Sequence, residues 1–370
     1  MKNQSKFLLV LALISVIFSC KKGVNSTPNK GEIITKSFEV GAWISINKEY
    51  SIEVYKTQFL KLKNSGIDEL FVNTNADPVL LSKIVPLAEA AGLKTHAWMF
   101  TLNRPGDPIA LQHPEWYAVS RNGESCYVKR PYVDYYQWLC PNREESRNHV
   151  LSLVSKLADV QGISSVHLDY IRFPDIFLPV GLLPKYNLVQ DEELPEFDFC
   201  YCEVCISQFE ETHHKNPLTI ENIDLDIEWR QFRLTSVSDF VNDAYSIVTH
   251  KGKSLTAAVF PYPQMASYMV RQSWDKWEID TVHPMLYHNF YNEELDWIGF
   301  ATGQGIQDLK GKKTSLKPGV FVPSITPNEI ASVFEMAVNN DARGITFFDA
   351  NALTNEHLAA IKKACNTLKK

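Results

Sequence analysis

Between residues 37 and 370, short apolar segments with strand character alternate with longer segments of helical periodicity, and the unit recurs eight times. This repetition constrains the fold more than any other feature. Consecutive parallel strands cannot be joined by a tight turn, so each strand–helix pair reads as one crossover unit. Strand segments are expected at Val40–Ile46, Glu69–Val72, Leu93–Phe100, Val166–Asp169, Leu255–Phe260, Thr281–Tyr287, Pro318–Val322 and Gly344–Phe348. Helical stretches intervene and carry start and stop signals. Asp77-Pro78 supplies an N-cap with proline at the first helical position, and Gly92 closes that helix. Asn142 with Glu145 has the spacing of a capping box, as do Thr326 and Glu329, where proline also occupies the first turn. His357–Leu368 reads as the last helix. Eight units in this length predict an α/β fold, the (β/α)8 TIM barrel. A doubly wound open sheet competes, but no glycine-rich phosphate loop follows the first strand.

Two stretches exceed the minimal unit. Residues 103–140 lie between strand three and its helix, and 173–226 between strand four and its helix. Both therefore belong to the C-terminal face of the barrel. Their wealth of Trp, Tyr and Pro suggests ordered walls of a cleft. Asp169 ends strand four at the same face. A carboxylate at the end of a buried strand is costly unless something uses it, and in a parallel barrel that end is where chemistry is done. Catalysis by Asp169 and a structural pair with Arg172 are both compatible with the sequence.

Net charge is −6, without a basic tract or a low-complexity run. Nothing here points to a nucleic-acid partner. At the N-terminus, Lys2 and Lys6 precede an apolar run from Phe7 to Phe18, of signal-peptide length and too short for a membrane span. Val16-Ile17-Phe18-Ser19-Cys20 resembles a bacterial lipobox, so cleavage before Cys20 and lipidation of its thiol are expected. An ordinary secretory signal is the alternative. Residues 21–36 have the composition of a flexible tether. The expected organisation is a lipoprotein signal at 1–20, the tether at 21–36 and the barrel at 37–370. The expected location is the bacterial cell envelope, lipid-anchored on the periplasmic or outer-membrane face.

Several motifs carry a family resemblance. They are Gly41-Ala42-Trp43, His96-Ala97-Trp98-Met99-Phe100, His113-Pro114-Glu115-Trp116, Cys140-Pro141-Asn142-Arg143 and His167-Leu168-Asp169-Tyr170-Ile171-Arg172-Phe173-Pro174. The chain resembles the bacterial glycosyl-hydrolase-like family 10 proteins from about Gly41 to the last helix. That resemblance implies a TIM-barrel glycosidase, often a lipoprotein, acting on an oligo- or polysaccharide without a cofactor. Strand six departs from the family pattern: it reads His283-Pro284-Met285-Leu286-Tyr287-His288. A non-catalytic glycan-binding lipoprotein that kept the cleft is the second reading, and a lyase or deacetylase-like enzyme using His and Tyr around Asp169 is the third.

Glycoside hydrolysis generally uses two carboxyl groups flanking the bond. Asp169 is one candidate. Strand five, Thr256-Ala257-Ala258-Val259-Phe260-Pro261, offers none, so Asp349 after strand eight is the first choice for the second. Asp349 would equally serve as the cap of a short turn before Asn351. Glu115 and Asp175 on the long loops are weaker candidates. Trp43, Asn73, His96, Trp98, Tyr287 and His288 fall near strand ends, and are expected to bind sugar hydroxyls and stack on sugar faces, while Arg172 is expected to pair with a carboxylate or to contact an anionic group of the substrate. Each of them alone also fits core packing.

The chain has seven cysteines. Cys200, Cys202 and Cys205 form a tight triplet in the second long loop, with His213 and His214 further on. A loop disulfide, a zinc site that lacks a clear fourth ligand, and free thiols all remain open. Cys126 and Cys140 bracket one loop and could pair, while Cys365 reads as part of the last helix's core.

Overall fold

The computed structural model describes residues 38–47, 49 and 51–368. The expected signal, Cys20 lipidation site and tether lie outside the described residues. No helix among the described residues is long and apolar enough to cross a membrane.

Among the described residues, nine parallel strand segments form one sheet. They are β1 (Glu39–Ser45), β2 (Glu69–Asn73), β3 (Lys94–Phe100), β4 (Ile163–Asp169), β5 (Ser254–Val259), β6 (Thr281–Pro284), β7 (Ser315–Leu316), β8 (Gly319–Phe321) and β9 (Gly344–Phe348). The helices are α1 (Ile52–Asn64), α2 (Pro78–Ala90), α3 (Glu144–Ala158), α4 (Leu183–Tyr186), α5 (Glu203–His213), α6 (Ile227–His250), α7 (Pro263–Val270), α8 (Trp297–Asp308), α9 (Ile330–Asn339) and α10 (Asn355–Leu368). Spatial order runs β7-β6-β5-β4-β3-β2-β1-β9-β8.

β7 and β8 are two halves of one barrel strand. β7 pairs with β6, and β8 pairs with β9. Pro318 between them has no N–H to give to a ladder, and this splits the strand. The amides of Lys317 and Thr346 still bond to Val282 and Pro318 carbonyls, and Met285 bridges Gly319. Eight strand positions thus close the expected α/β (β/α)8 barrel. Two local expectations are corrected. β6 stops at Pro284 rather than Tyr287, because the Leu286 amide turns back to the Pro284 and Gly319 carbonyls. Asn142 does not cap α3; Arg143 holds that position without a side-chain bond, and the Asn142 amide nitrogen donates to Cys205 Sγ at 3.3 Å.

Strand alternation sorts the side chains into two sets. Leu70, Val72, Ala97, Met99, Val166, Leu168, Ala257, Val259, Ile345 and Phe347 pack outward, in one core with residues of the helices. The intervening positions point into the barrel. Trp43, Phe71, Trp98 and Ala258 form a separate apolar cluster there, joined by Phe100, Met285 and Phe348. Beneath it the interior is polar: His96, Ser165, His167, Thr256, His283 and Thr346 are all buried. His167 Nε2 accepts from Trp43 Nε1 at 3.0 Å, so its Nδ1 carries the proton given to Thr256 Oγ1 at 2.8 Å. Burial and the neighbouring His283 and His96 rings hold His167 well below the ordinary histidine range, consistent with a neutral ring.

Candidate active site

The cleft opens at the C-terminal ends of the strands and encloses about 320 Å³. Its floor is the top of the interior cluster, with Trp43, Trp98, Ala258, Met285 and Phe348. Tyr132, Tyr135 and Tyr136 come from the loop after β3, and Asp175, Lys185 and Tyr186 from the loop after β4. Tyr287, Phe290 and Tyr291 complete the rim beyond β6. More than half of the lining residues are aromatic.

Asp169 lies at the end of β4 and lines this cleft. Trp98 Nε1 donates to Asp169 Oδ2 at 3.1 Å, and the Tyr170 amide donates to Oδ1 at 2.7 Å. Tyr170 adopts φ 51°, a left-handed conformation that is unusual for a bulky residue and is found disproportionately at functional sites. It turns the chain so that its own amide reaches the preceding carboxylate. Burial raises the Asp169 pKa. The Tyr170 amide, the Arg172 charge and the Trp98 indole counter this only in part, leaving it at about 6. A carboxyl so placed keeps its proton into mildly acidic solution and can still give it up near neutrality.

Arg172 is buried in the cleft wall, with its guanidinium 4.9 Å from the Trp138 ring, 5.0 Å from Phe260 and 5.2 Å from Tyr170. Its Nη1 lies 3.4 Å from Asp175 Oδ1 and donates to the Phe173 carbonyl at 2.9 Å. Tyr136 donates to Asp175 Oδ2 at 2.8 Å. Of the two partners open to Arg172 in the sequence, it takes a carboxylate. The Arg172–Asp175–Tyr136 group ties the two long loops together.

Five of the residues expected at the site, Trp43, Trp98, Asp169, Arg172 and Tyr287, come together around the cleft. Four do not line it. His96 lies lower in the barrel, with Nδ1 2.7 Å from Ser165 Oγ and Nε2 3.2 Å from the buried Glu69 carboxylate. It lies below Trp98 and Phe100 on the inward face of β3, and Trp98 is the residue that reaches the cleft. Asn73 accepts from the Asn75 amide at 2.7 Å and shapes the turn after β2. His288 begins a single 3-10 turn, His288–Tyr291, that points Phe290 and Tyr291 into the cleft in its place. Asp349 Oδ1 accepts from the Asn351 and Ala352 amides at 2.9 and 3.1 Å, capping the turn Ala350–Ala352. Free amides at the start of a turn attract a carboxylate, so Asp349 stands just outside the cleft that Phe348 lines. Glu115 is also elsewhere, exposed beside His113. The tyrosines of the first loop were not singled out from sequence, although the run Tyr132-Val133-Asp134-Tyr135-Tyr136-Gln137-Trp138 signals them by density alone.

The cysteines also rearrange. Cys126 and Cys140 are both free, and Cys140 instead joins Cys200, Cys202 and Cys205 in one buried group. Cys126 sits apart against the Trp138 backbone.

The fold is shared with solved glycosidases at low sequence identity. The glycoside hydrolase domain of PgaB (BpsB) from Bordetella bronchiseptica superposes with TM-score 0.64 at 10% identity, covering 89% of this chain and 99% of its own. The catalytic domain of β-amylase from Paenibacillus polymyxa gives 0.66 at 12%, covering 90% and 99%. The endo-1,4-β-mannanase from Rhizomucor miehei gives 0.55 at 9%, covering 90% and 95%. No curated protein matches by sequence. Residues 104–305, more than half of the 370-residue chain, match the family model described as "Putative glycosyl hydrolase domain", and the chain belongs to that family.

Proposed function

We propose that this protein hydrolyses glycosidic bonds in an oligo- or polysaccharide, with Asp169 as the general acid. The observation that carries the reading is a carboxyl with a pKa of about 6 on the floor of an aromatic cleft. Rings such as Trp43, Trp98 and Tyr287 offer faces to the CH surfaces of a sugar, and the tyrosine hydroxyls offer bonds to its hydroxyls. Asp169 gives its proton to the leaving oxygen as the C–O bond breaks, and the bonding pair departs with that oxygen. Positive charge then develops on the sugar ring. Asp175 is the second carboxylate of the lining and is assigned to face that charge or to take the proton of the water that bonds to the ring carbon. Asp349 is the alternative second carboxylate, and would first have to release two backbone amides.

The engagement of Asp175 by Tyr136 and Arg172, and of Asp349 by its turn, favours a second reading: a glycan-binding protein that cleaves nothing. An oligosaccharide screen with the wild type and Asp169→Asn, Asp175→Asn and Asp349→Asn separates the two. Enzymatic function predicts that Asp169→Asn lowers turnover by about two orders of magnitude or more while binding persists. Wild-type turnover by Asp169→Asn refutes the acid role. Binding without cleavage by the wild type establishes the second reading.

We further propose export and anchoring through lipidated Cys20, supported by the apolar run and the small residue before it. Cys20→Ser should leave an uncleaved or unlipidated form. A Cys20→Ser protein of normal lipidated mass refutes this.

A further inference from the structure

Cys140, Cys200, Cys202 and Cys205 are buried, and their sulfurs all lie within 4.8 Å of one another. Cys140 Sγ is 3.5 Å from Cys205 Sγ and 3.5 Å from Cys202 Sγ. Zinc holds four thiolates at about 2.3 Å, which places tetrahedral sulfurs about 3.8 Å apart. The four side chains therefore surround a space of the size that one four-coordinate ion needs. A disulfide would draw Cys140 toward one partner, yet it stands equally far from two. A multi-iron cluster carries its cysteines on the outside of a cage, which is too wide for sulfurs this close.

The surroundings suit thiolates. Asn142 Nδ2 donates to Cys205 Sγ at 3.3 Å, and the Val119 amide donates to Cys200 Sγ at 3.4 Å. Cys202 is the N-cap of α5 and Cys205 lies in its first turn, where helix amides and dipole favour negative charge. His213 takes no part; it ends α5, stacked on Phe209.

We propose that these four cysteines bind a single structural zinc ion. It would be fully coordinated by protein, with no position open for substrate. Binding would send the thiol protons to solvent and leave thiolates on the metal. Three ligands come from the loop after β4, and the fourth from the end of the loop after β3. The ion therefore fastens together the two loops that wall the cleft, a tie made by other residues than the Arg172–Asp175–Tyr136 group. The assignment is independent of the reaction proposed above.

The test uses the full chain purified without chelator. Elemental analysis should find about one zinc per chain. Replacement by cobalt should give the absorption of a tetrahedral four-thiolate site. The four thiols should react with a thiol reagent only after a chelator is added under unfolding conditions. Cys140→Ser and Cys202→Ser should lose zinc, whereas Cys126→Ser should keep it. Chelation should lower Tm and speed proteolysis within 101–143 and 170–226. The wild-type measurement decides the matter even if the variants fail to fold. Metal-free protein with its thiols reactive as isolated overturns the proposal. So does an intact mass lowered by the hydrogens of one or two disulfides, or iron bound in place of zinc.

Discussion

Asp169 is held in a place that suits its proton better than its charge. Its pKa of about 6 lies above that of an unfolded aspartate, so the protonated form is favoured by folding. Stability from this group is fully present below about pH 4 and is lost as pH rises through about 6. The cost at neutral pH is at most about 3 kcal/mol, since the side chain opens onto a cleft that water can enter. Asp169→Asn should flatten this part of the stability–pH curve, as chemical denaturation at pH 4 and pH 7 would measure. The net gain at pH 7 should be smaller than the full amount, because an amide cannot accept from both Trp98 and Tyr170 through its NH₂ end. A variant with the wild-type slope between these pH values would show that Asp169 titrates normally. If the acid role holds, kcat/KM should fall as pH rises above about 6 while Asp169→Asn loses that limb.

Among the elements, the two long loops are the parts that make this barrel specific. They are ordered because their backbone polar groups are closed within and between them: the Leu139 and Cys140 amides donate to the Leu102 and Trp116 carbonyls, and the Tyr201 amide of the second loop donates to the Val119 carbonyl of the first. The second loop ends where α6 begins, and Asp226 caps that helix by accepting from the Trp229 amide at 2.8 Å. Asp226→Ala should cost about 1 kcal/mol, read as a lower urea midpoint with unchanged m-value. α6 also carries Arg233, which donates to the buried Asp198 of the same loop. Fraying at its N-terminus should therefore increase amide exchange first in 193–201 rather than in the barrel. Capping signals at Asp77 and Thr326 were legible because they need only local contacts. The Asn142 signal misled because a long-range partner, Cys205, took its side chain.

At the scale of the whole molecule, the barrel is tied at its lower end by an ionic group. Lys317, at the break in strand seven, donates to Glu69 Oε1 at 2.6 Å and to Glu39 Oε2 at 2.7 Å. Lys94 also donates to Glu39, so residues at the starts of β1, β2 and β3 are joined to the strand that closes the barrel. Burial alone would raise the pKa of Glu69, but His96 and Lys317 outweigh it and hold the carboxylate well below its usual range. Stability from Glu69 is therefore present above about pH 4.5 and is lost as pH falls below it, opposite in sign to Asp169. Lys317→Met should destabilise by about 3–5 kcal/mol, because it removes a partner from a buried carboxylate. The double variant Lys317→Met, Glu69→Gln should recover part of that loss. If denaturation showed the single variant as stable as the wild type, the group would not be what closes the barrel.

The sequence by itself determined the repeating strand–helix order, the strand segments to within a few residues except around strands six and seven, and the long loops on the C-terminal face. These depend on periodicity, caps and chain direction, which are local. It also marked Asp169, Trp43, Trp98 and Tyr287 by their expected place near strand ends; alternation carried the first three into one cleft, and the turn after β6 brought Tyr287 there. Only the tertiary structure decided how high on its strand each polar residue sits. That depends on strand stagger, which sent His96 into the interior while Trp98, two residues later, reached the floor. Only the tertiary structure decided whether Asp349 faced the cleft or its own turn. It alone brought Cys140 across more than fifty residues to Cys200, Cys202 and Cys205. No local pattern encodes a meeting between two loops, because it is fixed by the barrel that positions both.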